Sequence, residues 1–392
     1  MLKIIGNHEE NTINQAKNVL EKGADKFVLC ADGHLGYGHP IGGVAAYKDR
    51  ISISGVGFDI ACGNMAVKLP VKASEQPAEF WSKVGKEIYE KISFGMGRNN
   101  ATKVEADFLD TDANWQNEGL AGLKDIAAKQ LGTVGSGNHY VDVFRDQEDF
   151  IWIGIHFGSR GLGHKATTHF LKKSGAQDGM NSDPCIVDMN SDIGQSYFEA
   201  MTLGGKYAYA GREWVCREVS RIIQGSDEWL DQVHNHHNFA WIEEHGEEQY
   251  FVVRKGSTPA FPNQRSFIGS NMADVSVIVR GLDTPQAKEN MYSTVHGAGR
   301  IMSRTQAAGK FKGWGAKRRR VSEGLINEDD MRKRVHQNGV MLIGGGADEA
   351  PDCYKKLDDV LEFHSDSVTV ETRLTPMIVC MAGANEFDPY KD

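Results

Sequence analysis

Apolar residues recur along the chain on two different periods, and the change from one to the other marks out its elements. At 77–92, Phe80, Val84, Ile88 and Ile92 return at every fourth position and form one apolar stripe, which predicts a helix with a single buried face. Ile13, Ala16, Val19 and Leu20 repeat the pattern earlier, and Gly23 supplies a helix stop. The longest helical stretch is 196–223, where the Gly204-Gly205 pair invites a break. Short β-rich runs at 26–30, 51–54, 64–69, 140–144, 150–155, 250–254, 275–280 and 366–373 predict strands. The two kinds of element do not alternate in a regular βαβ rhythm, so a mixed α+β architecture is expected rather than a doubly wound sheet.

Composition refines this picture. At about 150 residues per domain, 392 residues would suggest two or three domains. However, no Pro- or Ser-rich linker divides the chain, and polar stretches such as 98–118 read as insertions. Residues 1–392 are therefore expected to form one catalytic domain. With 40% hydrophobic residues the chain can bury a large core, and no apolar run approaches the roughly 18 residues of a membrane-spanning helix. The formal net charge of −9 excludes a protein that coats nucleic acid through its overall charge. The first residues lack the pattern of a secretory leader, and the six cysteines form no CxxC pair, which together predict a reducing, cytoplasmic setting with mostly buried thiols.

The 44 glycines fall in short clusters between strand-like runs, the positions where backbone turns tightly or approaches a ligand closely. Chemistry-bearing residues stand beside them. Asp59 and Cys62 in GVGFDIACGN lie three residues apart in a glycine-bounded turn, so both side chains can face one point. His139 in GTVGSGNHYVDV, His156 in IWIGIHFGSRG, and His234, His236 and His237 in VHNHHNFAWIEEH sit where strand-like runs meet turns. Taken singly, each is more often a turn cap, a buried thiol or an ordinary histidine. Together, a carboxylate, a thiolate and imidazoles suit a transition metal, with zinc favoured on ligand softness alone, and a thiolate can bridge two ions.

His296, in STVHGAGRIMSR, has a different setting. The glycines flanking Ala298 let a phosphate approach the backbone, Arg300 and Arg304 offer charge to its oxygens, and a neutral imidazole nitrogen can attack phosphorus. From His296 to Arg320 the chain holds eight basic residues, Arg300, Arg304, Lys310, Lys312, Lys317, Arg318, Arg319 and Arg320, and no acidic one. With Phe311 and Trp314 among them, this stretch suits a nucleic-acid backbone and a stacked base. GTVGSGN, by contrast, has its glycines in the wrong order for a dinucleotide fingerprint and leads into a strand.

Read in order, ADGHLGYGHPIGG, GVGFDIACGN, LGTVGSGNHYVDV, IHFGSRGLG, HHNFAWIEEH, VVRKGS, VIVRGL, VHGAGRIMSRT and DEAPDCYKKLDDV resemble the RtcB family of RNA-splicing and RNA-repair ligases over nearly the whole chain. The resemblance implies an RtcB-like mixed α+β fold with a central β core around a two-metal site, usually manganese. It implies Asp59, Cys62 and His139 on one Mn²⁺, and Cys62, His156 and His237 on the other. His296 matches the histidine that becomes guanylylated by GTP. Asn138, His139, Tyr140, Val141, Asp142, His237, Asn238, Gly269, Ser270, Asn271, Met272, Ser276, His296, Gly297, Ala298, Gly299 and Tyr354 match nucleotide-contacting positions. Arg300, Arg304, Lys317, Arg318, Arg319 and Arg320 are the expected RNA contacts.

The implied reaction joins RNA 2′,3′-cyclic phosphate or 3′-phosphate ends to 5′-hydroxyl ends, in a monomer, with an activating protein as a conceivable partner and no membrane. A cyclic phosphodiesterase that stops before ligation, or an RNA-binding protein with a vestigial site, would be the alternatives. The chain also departs from the family. Only Met272 keeps the PGSM segment in register, Asp142 replaces a glutamate, and Ala382 stands where the family has a terminal lysine. These departures suggest a divergent branch.

Overall fold

The computed structural model describes residues 1–177, 179–313, 319–384 and Glu386; Trp314, Lys317 and Arg318 lie outside the described residues. Its centre is an eight-stranded sheet in the order Arg265–Ile268, Ser276–Gly281, Val368–Gly383, Tyr140–Arg145, Phe150–Phe157, Gly63–Lys72 and Asp231–His236, with Met341–Gly345 added along Val368–Gly383. Met341–Gly345 runs parallel to its neighbour, and the other pairs are antiparallel. A second sheet of five strands takes the order Leu2–Ile4, Lys26–His34, Ile41–Tyr47, Glu248–Lys255 and Asn238–His245. Asp231–His236 and Asn238–His245 are edge strands of different sheets, and His237 is the residue between them. The architecture is mixed α+β, as the aperiodic order of elements predicts.

The helix expected at 77–92 spans Ala78–Lys91 and buries Trp81, Val84, Gly85 and Ile88. The long helix differs from expectation: Asp192–Gln224 runs 33 residues without a break at Gly204-Gly205. A side chain at 204 would come within 3.0 Å of Ile60, and one at 205 within 2.9 Å of Phe239, so the glycines allow close approach rather than a bend. Ser191 caps its start by accepting from the Gly194 N–H, and Gly225, at φ 76°, ends it. Along its length Val215, Cys216, Val219 and Ile223 join Met65, Val67, Ile155 and Phe157 of the central sheet in one apolar cluster.

Two strand predictions also change. The run at 51–54 divides into strand Arg50–Ser52 and a short helix, Ile53–Val56, because the Ser52 hydroxyl accepts from the Gly55 N–H at 2.9 Å and caps a turn. The final strand, Val368–Gly383, extends ten residues past the predicted end at 373. Pro376 interrupts the pattern that sequence periodicity relies on, and the ladder accommodates it with a register shift between Pro376 and Ile378.

Candidate functional site

Asp59 and Cys62 occupy a turn closed by the Cys62 N–H donating to the Asp59 carbonyl at 3.0 Å. Ala61 adopts φ 58° there, a left-handed conformation uncommon for a residue with a side chain. The turn is fixed from outside as well. The Ala61 N–H donates to the Asn238 carbonyl at 2.7 Å, and the His237 N–H donates to the Cys62 carbonyl at 2.9 Å. Cys62 then leads directly into Gly63–Lys72, where Asn64 stands opposite His156, and His156 stands opposite Tyr140 on its other side.

This register brings Cys62, His139 and His156 together with all three ligand atoms within 4.8 Å of one another. The Cys62 Sγ lies 3.7 Å from His139 Nε2 and 3.5 Å from His156 Nε2. His139 Nδ1 lies 2.8 Å from the Val134 carbonyl, and His156 Nδ1 lies 2.6 Å from Asn64 Oδ1. The Asn64 acceptor places the proton of His156 on Nδ1, so that ring presents its Nε2 lone pair towards the thiol, while His139 Nδ1 is also met by Arg160 Nη1 at 3.2 Å and its Nε2 edge faces the thiol. Asp59 Oδ2 approaches His139 Nε2 at 3.1 Å yet is buried without a hydrogen-bond partner. A carboxylate oxygen, an imidazole nitrogen and a thiol brought this close form a site that a shared proton or a cation can occupy.

His237 stacks on His156 at 5.0 Å, and its buried Nδ1 also lacks a partner. Burial first, then the cost of a second positive charge among adjacent imidazoles, holds His156 and His237 well below the ordinary imidazole range, so both are neutral and ligand-competent. Burial and the Asp59 charge push the Cys62 thiol well up, the state of a thiol that ionises against a metal. The donor set therefore fits a transition-metal ion. One such cluster, rather than two separate ones, is formed among the described residues, with Asp59 and His237 at its margins.

His296 adjoins this cluster, its ring 4.8 Å from that of His237. It follows strand Ser293–Val295 and is fixed by Asp32 of the five-stranded sheet, whose Oδ2 accepts from the His296 backbone N–H at 3.0 Å and from Nδ1 at 2.7 Å. That leaves Nε2 as the ring nitrogen not engaged by Asp32. Burial opposes ionisation of Asp32, but the hydrogen bonds and charge of His296 outweigh it and hold the carboxyl below its ordinary range. Gly299, at φ 78°, brings the loop against Asp32, since a Cβ there would meet the Asp32 carbonyl at 2.4 Å.

Metal-capable cluster and His296 share a cavity of about 630 Å³. Asn138, Tyr140, Asp142, Asn238, Gly269–Met272, Gly297–Gly299 and Tyr354 also line it. Two of the expected nucleotide positions do not. Val141 is wholly buried in the sheet core, and the Ser276 hydroxyl is turned to the Ser270 N–H at 3.0 Å, holding the 269–272 loop. Alternation along the last strand puts Val379 and Met381 on the cavity, whereas Ile378, Cys380 and Ala382 pack into the opposite apolar cluster.

Arg300 and Arg304 line the cavity, but both pair with Glu349, at 3.0 and 2.9 Å, and Arg300 also donates to the Tyr354 hydroxyl at 2.9 Å. Arg319 and Arg320 are exposed on the hairpin Lys310–Lys312/Arg319–Ser322, with Arg320 over the Phe311 ring at 5.2 Å. Sequence reasoning assigned no role to Asp32, Asn64, Arg160, Lys255 or Glu349. All five stood within the quoted motifs, but nothing in their spacing identifies what they touch.

A family model described as tRNA-splicing ligase RtcB matches residues 15–382. The RNA-splicing ligase RtcB of Escherichia coli (strain K12) is 29% identical over 384 residues, spanning 90% of this chain and 88% of its own length. The tRNA-splicing ligase RtcB of Archaeoglobus fulgidus is 30% identical over 436 residues, spanning 90% and 87%. That of Methanococcus maripaludis is 30% identical over 444 residues, spanning 92% and 89%.

Proposed function

Because the chain belongs to the RtcB family of RNA ligases, we propose that it seals RNA 2′,3′-cyclic phosphate or 3′-phosphate ends to 5′-hydroxyl ends, using GTP and two Mn²⁺ ions. The observation that carries this reading is His296, held from behind by Asp32, lining one cavity with the Cys62, His139 and His156 cluster. Asp59, Cys62 and His139 would hold one ion, and Cys62, His156 and His237 the other. Bound there, the ions would supply positive charge to the phosphate oxygens of the nucleotide and the RNA end.

The proposed reaction begins at His296. Asp32 holds the Nδ1 proton of His296, so Nε2 is the nucleophile. Nε2 attacks the α-phosphorus of GTP, a P–N bond forms, and the bond to pyrophosphate breaks. Asp32 stabilises the positive charge that develops on the imidazole. Water opens the RNA cyclic phosphate to a 3′-phosphate with a free 2′-hydroxyl. An oxygen of that phosphate then attacks the guanylyl phosphorus, and the P–N bond breaks to restore His296. Attack of the 5′-hydroxyl on the 3′-phosphorus forms the phosphodiester and releases GMP. In this reading Tyr354 and the loop 269–272, which line the cavity, would bound the nucleotide, and Arg319 and Arg320, exposed on their hairpin, would meet RNA phosphates.

Incubation with Mn²⁺ and α-labelled GTP should leave acid-labile label on the denatured chain, and His296→Ala should carry none. Failure of the wild-type chain to label with any nucleoside triphosphate would overturn the reading.

A further inference from the structure

Arg212 stands near the middle of the helix Asp192–Gln224, and its side chain is fully buried. Burial lowers it only to about 10, so it remains a cation at neutral pH. A buried guanidinium ordinarily sits against a carboxylate. Here no carboxylate hydrogen-bonds it among the described residues. Instead Nη1 donates to the Ala61 carbonyl at 2.9 Å and the Phe157 carbonyl at 2.6 Å, Nη2 meets His236 Nδ1 at 2.9 Å, and Nε donates to His234 Nε2 at 2.9 Å.

The choice of partners is the informative part. Ala61 precedes Cys62, Phe157 follows His156, and His236 precedes His237. One rigid fork thus grips the backbone or side chain next to three of the five residues in the metal reading. The Ala61 carbonyl belongs to the residue at φ 58°, so the grip falls on the least relaxed point of the Cys62 turn. Gly63 allows the fork to reach in, since a Cβ there would lie 3.1 Å from Nη2. The guanidinium lies over the Tyr209 ring at 5.3 Å, and Tyr209, then Cys62 and Asp59, favour its charge through space, with no hydrogen bond from it to Cys62 or Asp59.

We propose that Arg212 is the positioning residue of the metal centre: its planar fork sets the spacing of Cys62, His156 and His237, and its charge balances the thiolate and Asp59 carboxylate once they hold an ion. Arg212 touches no substrate and acts through the residues it fastens. The proposal rests on the metal reading of the site.

The test is Co²⁺ binding to the full chain without nucleotide or RNA, followed by the thiolate-to-Co²⁺ charge-transfer band and by equilibrium dialysis, with folding checked by circular dichroism. Cys62→Ser identifies the band. Arg212→Gln should bind Co²⁺ about tenfold to a hundredfold more weakly, as expected when a partner that orients metal ligands is lost. Arg212→Lys, which restores charge without the fork, should fall between the two.

A merely structural role would lower the melting temperature and leave the affinity and band of the folded protein unchanged. A folded Arg212→Gln protein within twofold of wild type would therefore overturn the proposal. If that variant does not fold, an Arg212→Lys protein within twofold of wild type overturns it instead. A wild-type chain that binds no Co²⁺ would overturn the metal reading first and this proposal with it.

Discussion

At the residue scale the site is a set of ring nitrogens aimed by their backs. His139 and His156 are each held through Nδ1 so that Nε2 points at Cys62, and His296 is held through Nδ1 by Asp32. Asp32→Asn should therefore impair chemistry more than fold. An amide can still meet the imidazole, but it cannot hold the charge that develops on it. We expect the rate of His296 labelling to fall on the order of a hundredfold, with GTP affinity little changed, measured by single-turnover labelling at several GTP concentrations. The residues alone marked Asp59, Cys62, His139, His156 and His296 as candidates beside glycines, and the ligand sets and the nucleophile came from the family resemblance. The sequence pattern could not name Asp32, since an aspartate in a strand-like run looks like any polar residue until its partner, 264 positions away, is known.

At the element scale, periodicity located most strands near the site but not their consequences. The runs at 64–69, 140–144 and 150–155 are strands, and their mutual register determines that Asn64, Tyr140 and His156 align. Nothing in the local pattern announces register, which depends on partners far along the chain. The long helix was legible as a helix but not as continuous, because Gly204-Gly205 reads as a break unless the surfaces of Ile60 and Phe239 are seen against it. Gly63 belongs to the same class. A Cβ at that position would meet the Asn235 carbonyl at 2.2 Å and His236 Cα at 2.8 Å, both backbone atoms that cannot step aside. Gly63→Ala should cost roughly 1–3 kcal/mol of stability, read from the urea midpoint, and should weaken metal binding because Cys62 is its neighbour.

At the scale of the whole molecule, buried histidines set the response to acid. Burial holds His364 down to about 4 and, with the Lys255 charge, His39 to about 3, against an ordinary value of 6.5. His364 Nε2 also accepts from the Ala31 N–H at 3.2 Å, a bond that protonation removes. Below pH 6.5 the unfolded chain takes up these protons while the folded chain refuses them. Their contribution is thus complete above that pH and declines as pH falls through 6.5 towards 4. For His364 alone the loss is of order 3 kcal/mol. Urea midpoints between pH 7 and 4 should fall, and His364→Gln should flatten the slope.

Asp32 belongs to the five-stranded sheet, His156 to the eight-stranded one, and His237 is the single residue by which the chain passes from an edge of one to an edge of the other. The candidate centre therefore lies on a seam. An ion held there as proposed would fasten the eight-stranded sheet to the residue that leads into the five-stranded one, so removing it should loosen that junction.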